Sequence, residues 1–157
     1  MSEQNKHAVR RLIEDHWNGK NAAHVAELFT DDATLHTPDG VLKGLQGAAV
    51  LLHAYATAFP DFHMTIHDMI AEGDQVAVRW TLAGTHRGPL LNIPATGRQF
   101  NVPNGIGIFR LNGGKVAEGY FAWNKFVLLQ QLGVIPAAPA SGPQGSAQFR
   151  RGRTSSP

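Results

Sequence analysis

Histidine is the residue type in this sequence best suited to carry protons near neutral pH. The chain has eight histidines, and an unperturbed imidazole titrates near pH 6.5. His86 lies at the end of a predicted strand, and His36 lies in the segment that follows the second predicted helix. Acid/base chemistry with His36 or His86 as the proton carrier is therefore the first functional hypothesis.

Several other chemistries lack the residues they require. The chain has no cysteine, which excludes disulfides, thiolate metal sites and a cysteine nucleophile. His63 and His67 are four residues apart in a predicted strand, whereas neighbours on one strand face are two apart. No carboxylate–histidine cluster has metal-ligand spacing, and neither a phosphate-binding loop nor a Gly-x-Ser-x-Gly elbow is present. The sequence therefore predicts no metal site.

The distribution of charge argues against a nucleic-acid partner. The formal net charge is +2, but Arg150, Arg151 and Arg153 all lie in the last few residues. A duplex-binding surface needs clustered Lys and Arg on one face, and the rest of the chain has no such cluster. No apolar run approaches the ~20 residues of a membrane span, and the first residues lack a signal-peptide core. We expect a soluble cytoplasmic protein without a membrane partner.

Composition divides the chain into one domain and a tail. A chain of 157 residues suits a single compact domain. From residue 137 onward, small residues and proline dominate and hydrophobic periodicity is lost. The sequence thus predicts a domain over 1–136 and a flexible C-terminal extension over 137–157.

The first part of the domain has helical periodicity. The first predicted helix ends near Asn18-Gly19, the second spans about 21–29, and the third spans about 46–59 before Pro60, which cannot continue a helix. The buried stripe of the first helix consists of Val9, Leu12, Ile13, His16 and Trp17.

After Pro60 the periodicity changes to that of strands. Alternating or extended apolar segments occur over about 62–67, 76–82, 99–110 and 115–123, and a short helix closed by Gly133 follows them. Helices followed by antiparallel strands indicate an α+β fold. We expect a cone-shaped, curved antiparallel sheet wrapped by N-terminal helices, with a pocket between the layers.

Several short motifs, taken in their order and spacing, resemble one family. These motifs are Phe59-Pro60-Asp61, Glu72-Gly73-Asp74, Gly84-Thr85-His86-Arg87-Gly88, Pro94-Ala95-Thr96-Gly97-Arg98, Gly114-Lys115-Val116 and Gln131-Leu132-Gly133. Over about residues 5–136 the chain is similar to the SnoaL-like polyketide cyclases of the nuclear transport factor 2-like (NTF2-like) superfamily. The resemblance implies a cone-shaped α+β barrel of the NTF2-like or cystatin-like type and a homodimer packed through the sheet. It also implies a small apolar organic ligand, and ring-closing chemistry without metal or organic cofactor.

The resemblance also identifies two positions where this chain departs from the family. The catalytic carboxylate of the cyclases corresponds to Asn124, and an accompanying histidine corresponds to Gly107. An amide can orient a carbonyl group but cannot exchange a proton near neutral pH. In this hypothesis Asn124 holds a substrate oxygen while His36 or His86 moves protons.

The remaining candidate residues are aromatic or apolar and would bind the substrate. The resemblance places Trp17 and Leu51 at the pocket, and Tyr55 lies one helical turn from Leu51 on the same face. Alternation around Asn124 puts Tyr120 on its face and Trp123 on the opposite face. All five are candidate substrate-binding residues, listed by element: Trp17, Leu51, Tyr55, Tyr120 and Trp123.

Two functions remain open from the sequence. The first is a small enzyme that binds an apolar, oxygenated, polyketide-like substrate and catalyses its cyclisation, isomerisation or hydration. The alternative is a non-catalytic small-molecule-binding protein, which the replacement of the family's carboxylate by Asn124 favours.

Overall fold

The computed structural model describes residues 2–136, which form four helices and six strands. The predicted extension over 137–157 lies outside the described residues. The elements are α1 (Ser2–Arg11), which continues as a π-helical segment (Leu12–Asn18), a 3₁₀ turn (Ala22–His24), α2 (Val25–Leu28), β1 (Phe29–Thr37), β2 (Gly40–Lys43), α3 (Gly44–Ala58), β3 (His63–Glu72), β4 (Gln75–Thr85), β5 (Gln99–Asn112), β6 (Lys115–Ala122) and α4 (Lys125–Gln131).

The six strands form one curved, unclosed sheet in the order β2-β1-β6-β5-β4-β3. The predicted α+β class is confirmed, and β3 to β6 form the predicted antiparallel meander. The first two strands were not predicted. The sheet is also not wholly antiparallel, because β1 pairs with β6 in the parallel direction.

Local irregularities bend the sheet toward the helices. The pairing register shifts between Ile66 and Asp68 in β3 and between Trp80 and Leu82 in β4. Such bulges increase local twist and bend the strand that contains them. The side chains on the inner, concave face form the core together with the helices, while the opposite face is exposed.

The end of the N-terminal helix carries most of its buried residues. Its π-helical segment buries Leu12, Ile13, His16 and Trp17, the stripe that helical periodicity predicted. The helix ends at Asn18, as predicted. The residue in the left-handed region after this helix is Lys20, with a φ of 51°.

The third helix spans Gly44–Ala58 and ends just before Pro60, close to its predicted bounds. Its buried face consists of Ala48, Leu51, Leu52, Tyr55 and Ala58 and packs against the concave side of the sheet. No helix within residues 2–136 combines the length and apolar character that crossing a bilayer requires.

Candidate functional site

A cavity lies between α3, the end of the π-helical segment and the concave face of the sheet. It contains about 460 Å³ of space between atoms, partly open to solvent, but only about 40 Å³ is wide enough for the centre of a water molecule. The cavity is therefore narrow. Its walls are formed by Trp17, Thr37, Leu51, Tyr55, Phe62, Met64, Trp80, Leu82, Phe121 and Trp123.

Two side chains, one at the end of the π-helical segment and one just after it, fix the cavity wall at the start of β3. Asn18 forms two hydrogen bonds with the backbone of Met64, donating from Nδ2 to the carbonyl at 2.9 Å and accepting the amide N–H at 2.7 Å. Lys20 donates from Nζ to the carbonyl oxygen of Phe62 at 2.9 Å and lies over the Phe62 ring. These contacts hold Phe62 and Met64 against the cavity.

Aromatic rings from three elements meet across the cavity. Tyr55 contacts Trp17 and Trp123 edge to face, with ring centroids 6.1 Å apart in both pairs. Trp17 also contacts Phe62 and Phe121 in the same manner. Such packing suits flat apolar molecules, because their faces and edges can replace similar aromatic contacts.

The Tyr55 hydroxyl is the main polar group of the cavity wall. Burial raises the pKa of this phenol well above its ordinary value, so it is a neutral donor at physiological pH. Its O–H donates to Oδ2 of Asp39 at 3.4 Å, longer than the usual 2.7–2.8 Å for O–H···O. Thr37 also lines the cavity, but its hydroxyl donates to the carbonyl of Gly40.

Four of the five predicted substrate-binding residues lie in the cavity wall: Trp17, Leu51, Tyr55 and Trp123. Their role in binding a ligand remains a prediction. Tyr120 does not line the cavity. It projects from the outer face of β6, is 42% exposed, and hydrogen-bonds to Glu118.

His36 also lies on the outer face of the sheet. Its ring stacks on Tyr120 with centroids 4.5 Å apart and an interplanar angle of 3°. These two residues are paired neighbours of the parallel strands β1 and β6. From that position His36 does not reach the cavity, so the structure does not bring it together with Tyr55 or Trp17.

Asn124 does not project into the cavity either, contrary to the prediction. Its side chain is exposed, and Oδ1 accepts the backbone N–H of Val127 at 3.0 Å as the N-cap of α4. An N-cap acceptor satisfies an N–H of the first helical turn. The residue that turns inward here is the adjacent Trp123.

His86 is fully buried but belongs to a loop and not to the cavity. Nδ1 accepts the backbone N–H of Thr96 at 3.2 Å and lies 3.0 Å from its hydroxyl. Its backbone bonds to Arg98 and Gly97 close the same loop. Burial lowers the pKa of His86, so the ring is favoured in its neutral form as a structural element of this loop.

His16 is the second fully buried imidazole. Nδ1 lies 3.2 Å from the carbonyl oxygen of Asn21, and the ring packs against Trp17 and Phe29. Its Nε2 has no hydrogen-bond partner among the described residues. Burial lowers the pKa of His16, and the hydrogen bond with the Asn21 carbonyl offsets only part of this effect.

A second depression adjoins the cavity across the same wall. This groove contains about 610 Å³ of space, partly open to solvent, and shares Thr37, Leu51 and Tyr55 with the cavity. Its outer rim carries the exposed apolar side chains of Val41 and Leu91. The groove is wider than the cavity and forms the larger half of the site.

Asp39 lies in this groove and was not predicted as a site residue. It contacts Tyr55, and its Oδ1 accepts a hydrogen bond from Nζ of Lys125. The signal for its position was the sequence Thr37-Pro38-Asp39-Gly40, since Pro-Asp-Gly between two strands predicts a tight turn. Within residues 2–136, no group of three or more His, Asp and Glu side chains is arranged to hold a metal ion.

No curated protein matches this chain, whereas several solved structures do. TsrD from Streptomyces laurentii is 28% identical, with a TM-score of 0.73, 83% of this chain and 98% of that chain covered. IdmH, a candidate polyketide cyclase from Streptomyces antibioticus, is 25% identical, with a TM-score of 0.70 and coverage of 83% and 99%. AclR, a candidate hydroxylase from Streptomyces galilaeus, shares the fold at 24% identity, with a TM-score of 0.80 and coverage of 94% and 92%.

The predicted resemblance is confirmed at the level of the family. The model of the SnoaL-like polyketide cyclases matches residues 7–132. This range contains all the helices and strands from β1 to α4 and all ten residues that line the cavity. The chain therefore belongs to the SnoaL-like polyketide cyclase family.

Proposed function

We propose that the protein binds an apolar, oxygenated, polyketide-like molecule at its concave face and catalyses cyclisation, isomerisation or hydration by acid/base chemistry without a cofactor. The observation that carries this proposal is the aromatic cavity with the neutral Tyr55 hydroxyl in its wall. Flat apolar surfaces would bind the rings, and the hydroxyl would donate to a carbonyl oxygen of the substrate.

The size of the site constrains the substrate. The cavity is too narrow for a fused-ring molecule to enter whole without movement of its walls. The groove beyond Tyr55 is wider, so a substrate of polyketide size would place one edge in the cavity and the rest in the groove. The description of IdmH as a candidate polyketide cyclase supports a substrate of this class.

The second candidate function is binding without catalysis. Of the ten residues that line the cavity, none is a carboxylate or an imidazole, and Asn124 occupies a capping position at the surface. A protein that only stores or carries a ligand would need the apolar walls and the Tyr55 donor but no proton carrier.

A bicyclic ketone separates the two functions. 2-Tetralone has an aromatic ring, and its benzylic C–H is acidified by the adjacent carbonyl. Its binding is followed by tryptophan fluorescence, and exchange of the α-hydrogen in D₂O by ¹H NMR. If the protein is an enzyme, 2-tetralone should bind saturably, and its α-hydrogen should exchange faster than in buffer alone. Binding without exchange would establish the carrier function, and neither binding nor exchange would refute both.

We also propose a homodimer that packs through the outer face of the sheet. One cross-strand row runs over all six strands, and its members are Ile70, Ala77, Ile108, Tyr120, His36 and Val41. Four of these are large apolar or aromatic side chains that are between 42% and 69% exposed. A continuous exposed apolar patch is typical of a protein–protein interface, and a second copy of the chain would cover it.

A further inference from the structure

Three polar side chains from three separate elements meet where the cavity joins the groove. Asp39 lies in the turn between β1 and β2, Tyr55 in α3, and Lys125 at the start of α4. One carboxylate oxygen of Asp39 accepts from the Lys125 ammonium and the other from the Tyr55 hydroxyl. The side chains of Lys125 and Asp39 are 23% and 27% exposed, so this cluster is partly shielded from water.

The local sequence holds Asp39 in this position. The Thr37 hydroxyl accepts the backbone N–H of Asp39 at 3.2 Å and donates to the carbonyl of Gly40 at 2.9 Å. Gly40 has a φ of 131°, which side-chain-bearing residues rarely adopt. The turn is therefore fixed at both ends, and the carboxylate points to Tyr55 and not into bulk solvent.

The contacts of Asp39 leave one of its carboxylate oxygens available to a substrate. Nζ of Lys125 donates to Oδ1 and holds the carboxylate in place. The contact with Tyr55 is long for an O–H···O bond, so the hydroxyl can turn to another acceptor, and that carboxylate oxygen keeps unused lone pairs. A substrate carbonyl that enters from the groove would meet the Tyr55 donor next to this oxygen.

We infer that Asp39 is the catalytic carboxylate of this protein, supplied from the β1–β2 turn in place of the strand-end position occupied by Asn124. The inference rests on the proposed enzymatic function. The substrate would be a ketone with an acidic neighbouring C–H that spans the cavity and the groove. Tyr55 would bind its carbonyl oxygen, and Lys125 would hold the Asp39 carboxylate in place.

The proton transfer balances within the site. Asp39 removes the proton from the carbon beside the carbonyl, and the electron pair of the broken C–H bond forms the enolate, whose oxygen accepts from Tyr55. In isomerisation, Asp39 gives the proton to a different carbon of a conjugated enolate. In cyclisation, the enolate carbon forms a C–C bond with a second carbonyl carbon, and the alkoxide produced takes the proton from Asp39. No oxidant, reductant or further reactant is required.

The test compares Asp39→Asn with wild type in the 2-tetralone experiment. The matched control is Asp32→Asn, because Asp32 is an exposed carboxylate of β1, the strand that leads into the turn of Asp39, and it accepts a hydrogen bond from Thr30. We expect Asp39→Asn to slow α-hydrogen exchange by about 10²- to 10⁴-fold, the usual contribution of a general base, while affinity stays near that of wild type. Asp32→Asn should leave both unchanged.

Chemical rescue separates a proton carrier from a residue that only shapes the site. In Asp39→Ala, added sodium formate should restore exchange in proportion to its concentration, since formate can occupy the space of the missing carboxylate. Circular dichroism and thermal unfolding verify that the variants are folded. If Asp39→Asn does not fold, the formate titration of Asp39→Ala still tests the inference. A folded Asp39→Ala whose exchange activity formate does not restore would refute it.

The outcomes distinguish the inference from the proposed function. Exchange by wild type that persists in Asp39→Asn would overturn the role of Asp39 and leave the enzymatic function intact. Loss of binding together with exchange in Asp39→Asn would make Asp39 a ligand anchor and overturn its role as a base. Wild-type binding without exchange would refute the enzymatic function itself.

Discussion

The indole ring of Trp80 occupies the space that a side chain at Gly107 would need. A Cβ atom on Gly107 would lie 2.7 Å from Cζ3 of Trp80, and one on Gly105 would lie 2.3 Å from Nε1. Trp80 and Gly105 are paired neighbours of β4 and β5. The indole therefore leaves no room for a side chain at position 107, and the same ring forms part of the cavity wall.

A double-mutant cycle tests this dependence. Gly107→Ala should destabilise the protein by about 1–3 kcal/mol, the usual cost of overpacking. In a Trp80→Val background, where the clashing ring is gone, the same substitution should cost much less. Urea unfolding of the wild type, the two single variants and the double variant gives the coupling free energy between positions 80 and 107. Gly47→Ala, in α3 and close to Leu42, is the control that should not couple to Trp80. If the two substitutions change the free energy of unfolding additively, the indole of Trp80 is not what excludes a side chain at position 107.

The capping role of Asn124 predicts an effect on stability without an effect on binding. Asn124→Ala leaves the N–H of Val127 without its acceptor and should lower the free energy of unfolding by about 1 kcal/mol. Asn124→Asp should stay close to wild type, because a carboxylate accepts the same bond and is favoured at a helix N-terminus. Urea unfolding measures the change in stability, and tryptophan fluorescence measures the binding of 2-tetralone. Weaker binding at unchanged stability would instead place this amide in the ligand site.

Burial of His16 predicts a dependence of stability on pH. The pKa of His16 is lowered in the folded protein from 6.5, so below about pH 6.5 the unfolded chain binds a proton that the folded chain does not. Stability is therefore complete above pH 6.5 and falls as the pH drops toward the folded pKa. His86 acts in the same direction.

His16→Phe should flatten this dependence by up to about 1.4 kcal/mol per pH unit, the limit for one proton. The measurement is the free energy of unfolding in urea at several pH values between 7 and 5. His53→Gln removes an imidazole that is exposed to water and should leave the slope unchanged. An identical slope in wild type and His16→Phe would show that His16 takes up its proton equally in both states.

The proposed dimer predicts that one charge on the outer face of the sheet yields monomers. Ile108 lies in the middle of the cross-strand row, opposite Tyr120, so Ile108→Glu would bury a carboxylate in an apolar interface. Size-exclusion chromatography with light scattering measures the mass. Phe126→Glu alters an equally apolar side chain, 57% exposed on α4, and should keep the dimer. A monomeric wild type would refute the proposal directly.

The local patterns that predicted the fold correctly are those in which one residue type forces one conformation. Pro60 ends α3, and the consecutive glycines Gly113 and Gly114 have φ values of 58° and 79° between β5 and β6, as expected for a hairpin. The strand β1 was missed because a register shift between Phe29 and Thr34 interrupts its alternation. Its pairing with β6 joins distant parts of the chain and leaves no local signal.

The candidate site was predicted in part. The error was to assign the wrong face of β6 to the cavity. Alternation correctly put Tyr120 and Asn124 on one side of the chain, but that side faces outward, while Phe121 and Trp123 line the cavity. Glu118 on the same side as Tyr120 was a signal for the outer face, since an unpaired carboxylate is costly to bury. Asp39 was missed because nothing local brings it to Tyr55.

The parallel pairing of β1 with β6 has a consequence for the nascent chain. Leu35 and His36 meet Gly119 and Tyr120, which the ribosome adds long afterwards. Until β6 has emerged, β1 and β2 form a two-stranded hairpin with a free edge, and such hairpins are marginally stable in water. The hairpin that carries Thr37 and Asp39 can therefore join the sheet only after β6 has been synthesised, because β6 is the strand that lies between β1 and β5.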